Sequence, residues 1–277
     1  MSNSPSRSFE IKADPPDQKT SIQISELAGI KAENLGLATW GASVVLANIL
    51  YRWKDAEWIT NVQESNSSIG DIPILELGAG TGLSGLAASR LWSLPAILTD
   101  LPPIIPGIDL NISLNTNSTE CLSGCLDWTA PTTLHVPSTN TTFSAPACSA
   151  SIILAADTCY TTSHPTLISN TVSHWLSRNR KSRAIFCYPL RMAYVEHARN
   201  LWEKMEGKGF VCLEEGKETS GHETYGEFER DVPYEWSVWG WEEFHEDAAA
   251  RRDEEKGQSI WMSWCAVPGS DISTMMP

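Results

Sequence analysis

Three glycines stand at positions 78, 80 and 82, directly after the apolar run "IPILEL". An acid, Asp100, ends the next apolar run, "AILTD". A strand that breaks into a glycine-rich turn and then a helix is how many proteins hold a nucleotide, because backbone without a Cβ lets the ligand approach closely. The dinucleotide fingerprint is G-x-G-x-x-G, whose third glycine lets the helix close on the strand. Here the run is G-x-G-x-G, with Leu83 where that glycine belongs. A phosphate loop is excluded more firmly, because no Gly-Lys-Ser/Thr follows. The spacing fits a ligand whose adenosine and amino-acid parts lie across the turn with no pyrophosphate between them, which is S-adenosylmethionine. Asp100, about 20 residues after the turn, is placed to accept hydrogen bonds from both ribose hydroxyls. An acid there also serves NAD, so it argues for a ribose and not for which nucleotide. Glu76 precedes the first glycine, and two readings stand: ligand contact, or a carboxylate tying the backbone N–H groups of the turn.

A second constellation, "AADTCY", follows another apolar run and carries Asp157 and Tyr160. Methyl transfer from a sulfonium is an in-line displacement, so catalysis is largely a matter of holding a nucleophile with a free lone pair close to the methyl group. A lysine amine, with a reference pKa of about 10.4, must first lose a proton. A carboxylate near about 3.9 is poorly matched to removing it, so Asp157 is assigned to orientation and electrostatics rather than to strong base catalysis. Tyr160 adds a hydroxyl or an aromatic wall for a methylammonium product. The plainer alternative, of equal weight on these residues alone, is that Asp157 caps its loop and Tyr160 packs.

These groups need elements to hold them. Residues 1–20 are polar and proline-bearing and read as a loose, flexible tail. "SIQISEL" alternates as a short strand, and Ala42, Val45, Leu46, Ile49 and Trp53 recur at helical spacing in a helix opening just after Trp40. From residue 72 the pattern is strand, turn, helix, repeated. "IPILELG", "AILTD", part of "TECLSGCLDW", "ASIILAAD" and "AIFCYPL" are strands. The intervening helices begin after the glycines, at "IIPGIDLNISLN", at "HPTLISNTVSHWL" and at Met192. Residues 129–149, rich in Ser, Thr, Pro and Ala, read as a surface loop. "FVCLEE" and "SIWMSWCAV" are taken as the last two strands, with residues 216–258 inserted between them. The alternation predicts an α/β fold with a doubly wound, mostly parallel sheet, residues 21–277 forming one domain. Ligands in such sheets bind at the carboxyl ends of the strands.

Composition narrows the partners. Twenty Lys and Arg against 34 Asp and Glu give a net charge of -14, which lacks the basic footprint of nucleic-acid binding and favours a protein or small-molecule target. No run approaches the roughly 20 apolar residues of a membrane span, and the start of the chain has no apolar signal core. Seven scattered cysteines without a CxxC pair read as free thiols in a reducing compartment, and no metal site is expected. The expectation is a soluble, cytoplasmic monomer, with the nucleus as the alternative address.

The ordered segments "GLATWGASVVLANIL", "ILELGAGTGLSGL", "LTDLP" with "NISLN", "LDW", "IILAADTCY" and "YPLR" resemble the seven-strand S-adenosylmethionine-dependent methyltransferases, specifically methyltransferase family 16, rich in protein-lysine methyltransferases. The resemblance covers roughly residues 20 to 215 and rests on Trp40, Asp100, Trp128 and Asp-x-x-Tyr occurring together. It implies a seven-stranded Rossmann-like sheet with an N-terminal helical extension. It also implies a cofactor contacting Trp40, Gly78, Ala79, Gly80, Asp100, Trp128 and Ala156. Taken alone, Trp40 or Trp128 would more often be a core residue than a cofactor wall. Asp127 either reaches the adenine amino group or is a solvated loop acid. Asn111 and Asn115 are expected to satisfy backbone near a helix end. The resemblance weakens after residue 215, where the acidic, Trp-rich stretch is either packing or a wall of the substrate site.

The reading that follows is an N-methyltransferase acting on a lysine of a protein substrate. A small-molecule amine N-methyltransferase is the alternative, and a non-catalytic cofactor-binding interaction protein the third. The glycine spacing leaves a dehydrogenase last. The sequence also lacks the Asn-Pro-Pro-Tyr/Phe motif that marks methylation of amide or nucleobase nitrogens.

Overall fold

The apolar run at 149–156 becomes β8 (Ser149–Ala156), the strand at the point where the sheet reverses direction. The computed structural model describes residues 6–13, 17–26, 39–64, 71–115, 120–145, 147–191, 195–219, 232–248 and 250. The other strands of this sheet are β3 (Asp71–Leu77), β4 (Ala96–Asp100), β5 (Cys121–Cys125), β6 (Thr133–Val136), β7 (Thr141–Ser144), β9 (Arg183–Pro189), β10 (Phe210–Thr219) and β11 (Pro233–Trp241). Among the described residues the sheet has nine strands in the order β10-β11-β9-β8-β3-β4-β5-β6-β7. The five from β9 to β5 are mutually parallel, while β11, β10, β6 and β7 run antiparallel to their neighbours.

Helices cover both faces because successive side chains in the buried strands serve opposite layers. Ile152, Leu154 and Ala156 of β8 pack into a core shared with α1 (Gly41–Ile49) and α3 (Leu83–Trp92). Ile153 and Ala155 point into the other core, shared with α5 (His164–Trp175) and α6 (Val195–Glu206). Helix α2 (Glu57–Glu64) follows α1 through a short 3-10 turn, and α4 (Ile105–Leu114) links β4 to β5. Among the described residues no helix is long and apolar enough to cross a membrane.

Three sequence expectations are corrected. The supposed loose tail contains strand. β1 (Ser6–Lys12) pairs antiparallel with β2 (Lys19–Ser25), and Phe9, Ile11, Ile22 and Ile24 are buried. Asn111 and Asn115 of α4 and its C-cap hold this hairpin down. Asn111 Oδ1 accepts the Ser25 N–H at 2.8 Å, and the Asn115 amide both accepts from the Gln23 N–H and donates to the Gln23 carbonyl. Their hydrogen bonds thus include a strand far off in sequence as well as local backbone.

The supposed loop at 129–149 contains β6 and β7, a hairpin that adds two strands to the sheet edge and makes nine rather than seven. The Trp-rich part of the supposed insertion is β11, inserted between β9 and β10, with eight of its nine residues buried. Tyr234, Trp236 and Val238 face one core, and Trp239 and Trp241 the other. Trp236 meets Trp53 edge-on at 5.5 Å, and Trp241 stacks on Phe210 at 4.1 Å. The expected final strand "SIWMSWCAV" lies outside the described residues.

Candidate active site at the carboxyl end of the sheet

The chain runs outward from β3 through β4 to β5, then returns to β8 on the other side of β3. At such a reversal the loops leaving two neighbouring strands diverge and leave a crevice. Strand register fixes what borders it: Leu77 lies beside Thr99 of β4 and Ala155 of β8. The glycine turn, Asp100 and Asp157 therefore leave from adjacent strand ends.

The turn needs its glycines. Gly78, Gly80 and Gly82 have φ of 63°, 55° and 80°, a region that other residues enter only with strain. A Cβ on Gly78 would also lie 3.0 Å from the Trp128 ring, so the indole rests directly on the turn. Asp100 braces it from the side: Oδ2 accepts the Gly80 N–H at 2.9 Å and Oδ1 the Leu101 N–H at 2.7 Å. Burial raises the Asp100 carboxyl above its ordinary value, and these two hydrogen bonds oppose the rise. Below the turn, Glu76 is 2% exposed and accepts the Gly85 N–H at 3.1 Å. Burial pushes its carboxyl up to about 8, with the nearby Asp100 adding to the rise.

Beyond β8, Ala156 is buried and Asp157 has φ 53°, with its N–H donated to the Cys187 carbonyl at 2.9 Å. This left-handed residue turns the chain off the sheet. An Asp157 carboxylate oxygen lies 3.6 Å from Arg191 Nη2, and the Arg191 guanidinium lies over the Trp40 ring, 5.6 Å from its centre. Trp40 immediately precedes α1, which packs against β9. Tyr160 is 56% exposed. Its phenol is raised by burial of the part that is covered and further by the charges of Asp100 and Asp157. His164 stands edge-on between Tyr160 (4.3 Å) and Trp128 (5.5 Å). Its Nδ1 donates to the Thr158 carbonyl at 2.7 Å, and burial lowers its pKa.

One strand further out is a buried polar pair. Glu235, 4% exposed, accepts the Tyr188 hydroxyl at 3.0 Å, and burial raises its carboxyl to about 7. Trp202 Nε1–H also donates to the Tyr188 hydroxyl oxygen.

Most of the residues expected from sequence thus converge on one end of the sheet: Trp40, Gly78, Ala79, Gly80, Asp100, Trp128, Ala156, Asp157 and Tyr160. Two others are differently engaged. Glu76 lies beneath α3 and is spent on the helix backbone. Asp127 is exposed and accepts both the N–H and the hydroxyl of Thr129, which hold its carboxyl below the ordinary range. Three residues went unassigned in the sequence. Arg191 was visible only as the last letter of "YPLR", and His164 only as the start of a helix. Leu101, next to Asp100, was unremarkable until seen 50% exposed. With Tyr160 it is one of three large apolar side chains left exposed among the described residues, and both border the crevice.

The arrangement fits S-adenosylmethionine. The two Asp100 oxygens offer about four lone-pair sites, of which backbone N–H groups use two, leaving acceptors for a pair of vicinal hydroxyls. Trp128 and Leu101 supply apolar faces for a purine, and the glycine turn supplies close backbone. Among the described residues no cluster of three metal-ligating side chains accompanies it.

A family model described as lysine methyltransferase matches residues 17–206. The chain is 31% identical over 229 residues to protein-lysine N-methyltransferase EFM2 of Saccharomyces cerevisiae, covering 79% of this chain and 51% of that protein. It is 30% identical over 210 residues to protein-lysine N-methyltransferase rrg1 of Schizosaccharomyces pombe, covering 74% of this chain and 62% of that one. The chain thus spans about half to three-fifths of the length of these relatives. Among solved structures, TYW2 of M. jannaschii in complex with AdoMet matches at a TM-score of 0.43 and 9% identity, over 80% of this chain and 82% of that one, too distant to bear on function.

Proposed function

The chain belongs to the lysine methyltransferase family, and we propose that it is an S-adenosylmethionine-dependent N-methyltransferase whose acceptor is a lysine side chain of a protein. The methyl donor of the family is S-adenosylmethionine. The observation that carries the reading is the placement of Asp157, on a left-handed residue at the reversal of the sheet, beside the glycine turn and its bracing Asp100.

In this reading the Gly78-Ala79-Gly80 backbone, Asp100, Trp128 and Ala156 hold the cofactor, and Trp40 walls it on the α1 side. Glu76 supports the turn from below and Asp127 shapes its own loop, neither touching the ligand. The bound cofactor would supply an electrophilic methyl group on a sulfonium to the lone pair of a lysine nitrogen, the carbon–sulfur electron pair remaining on sulfur. Asp157 accepts an N–H of the acceptor and so aims its lone pair. Tyr160, exposed and three residues after Asp157, borders the path by which a lysine enters, where its ring stabilises the methylammonium product.

The net charge of -14 favours a basic protein segment and disfavours nucleic acid. The same composition, with its unpatterned cysteines, suits a cytoplasmic monomer. The test uses S-adenosylmethionine labelled in the methyl group and an extract from cells lacking the gene, with protein and small-molecule fractions separated. Label in a discrete protein band supports the reading. Label confined to small molecules moves the acceptor to a free amine. Cofactor binding without any transfer identifies a non-catalytic binding protein.

A further inference from the structure

Arg191 emerges from β9 with its backbone fixed on both sides. The Leu190 N–H donates to the Pro233 carbonyl at 2.8 Å, and the Arg191 carbonyl accepts the Val195 N–H at 3.1 Å as α6 begins. From that anchor one guanidinium engages two groups suited to a cation, the Asp157 carboxylate at 3.6 Å and the Trp40 indole at 5.6 Å. The Asp157 side chain is 11% exposed and that of Arg191 24%, so the pair is only partly screened by solvent. At 3.6 Å the contact is an ion pair without a short hydrogen bond.

The chemistry needs such a counter-charge. A carboxylate that orients an amine also stabilises its ammonium form, which has no lone pair to give. Asp157 by itself would keep the acceptor protonated while aiming it. A fixed guanidinium against the same carboxylate cancels that attraction and disfavours a second cation alongside. We propose that Arg191 is a positioning residue that holds Asp157 in place and offsets its charge, so that the acceptor amine meets the methyl group as the neutral base. The inference rests on the amine-methylating reading above and assigns a residue which that reading leaves unused.

Other titrating groups lie within electrostatic reach of Asp157. The thiols of Cys159 and Cys187 are both raised by burial and by Asp157, Cys159 to about 12, so neither ionises near neutrality. The Tyr160 phenol is likewise raised. Asp100 adds to the rise at Tyr160, and Glu218 and Glu235 add to the rise at Cys187. His164 is lowered, and Glu235 titrates near 7. All of these are shared by wild type and an Arg191 variant, so the ratio of their rates isolates the guanidinium.

The experiment measures kcat from pH 6.5 to 9.5 with methyl-labelled S-adenosylmethionine and the acceptor protein identified in the extract assay, for wild type, Arg191→Gln and Arg191→Lys. Cofactor affinity is read separately by calorimetry. The Gln variant should bind S-adenosylmethionine within about threefold of wild type. The midpoint of its kcat profile should rise by about one pH unit, giving a roughly 10-fold loss at neutral pH that shrinks as pH rises. The Lys variant, which keeps the charge, should recover at least half of the shift. A uniform loss at every pH, or an unshifted profile, overturns the inference while leaving the methyltransferase reading intact. Absence of transfer by wild type overturns both.

Discussion

Replacing Glu76 with Gln should change how stability depends on pH. Glu76 is 2% exposed, and its carboxyl is raised from 4.5 to about 8, first by burial and further by Asp100. A raised folded-state value means that the folded chain holds a proton which the unfolded chain releases. The stabilisation is fully present below pH 4.5 and is lost progressively as pH rises through about 8, where the slope ends. At pH 7 the buried group is about nine-tenths protonated, whereas the unfolded one is almost fully ionised. Three to four pKa units at about 1.4 kcal/mol each give an order-of-magnitude loss of about 4 kcal/mol between pH 5 and pH 9. Gln keeps an oxygen for the Gly85 N–H and does not titrate, so the variant should lack this loss. Urea unfolding followed by tryptophan fluorescence at pH 5, 7 and 9 measures it. The difference between wild type and E76Q should swing toward the variant by about 4 kcal/mol across that range. Glu235, which titrates near 7, is common to both and cancels. S-Adenosylmethionine affinity should stay within about threefold of wild type. Parallel stability curves, or loss of cofactor binding with stability unchanged, would refute the placement of Glu76 beneath the turn as a support.

Asp100→Ala should weaken S-adenosylmethionine binding by at least about 30-fold in calorimetry, since about 2 kcal/mol or more accompanies loss of charge-assisted hydrogen bonds; an unchanged Kd would remove Asp100 from ribose binding. Gly216→Ala places a Cβ 2.4 Å from the Trp236 ring, which is itself held against Trp53. Such overpacking costs about 1–3 kcal/mol, so Tm by scanning calorimetry should drop by several degrees, and an unaltered Tm would contradict the packing of β10 on β11.

Local pattern was enough where one element's own residues decide its structure. "AILTD" coincides with β4, the helix after Trp40 begins at Gly41, and the glycine turn and Asp100 meet as their spacing required. The residues that were misread depend on partners distant in sequence. β11 is buried on both faces, so its alternation divides side chains between two cores instead of separating apolar from polar, and Glu235 and Ser237 made it look like an insertion. β6 and β7 are rich in threonine and short, and only pairing with the edge at β5 distinguishes them from a loop. β1 has just two inward apolar residues, Phe9 and Ile11, and owes its position to β2 and to the asparagines of α4. At the site, Asp157 was legible from its place after an apolar run. The meeting of Arg191 with Asp157 and Trp40 was not, because three separate segments bring them together.

The most direct test of the central claim is tandem mass spectrometry of the protein labelled in extract by wild type and by Asp157→Ala. The account predicts a methyl group on a lysine ε-nitrogen with wild type and none above background with the variant, although the variant binds S-adenosylmethionine with near-normal affinity. A methyl group on another atom, or equal lysine methylation by the variant, would contradict it.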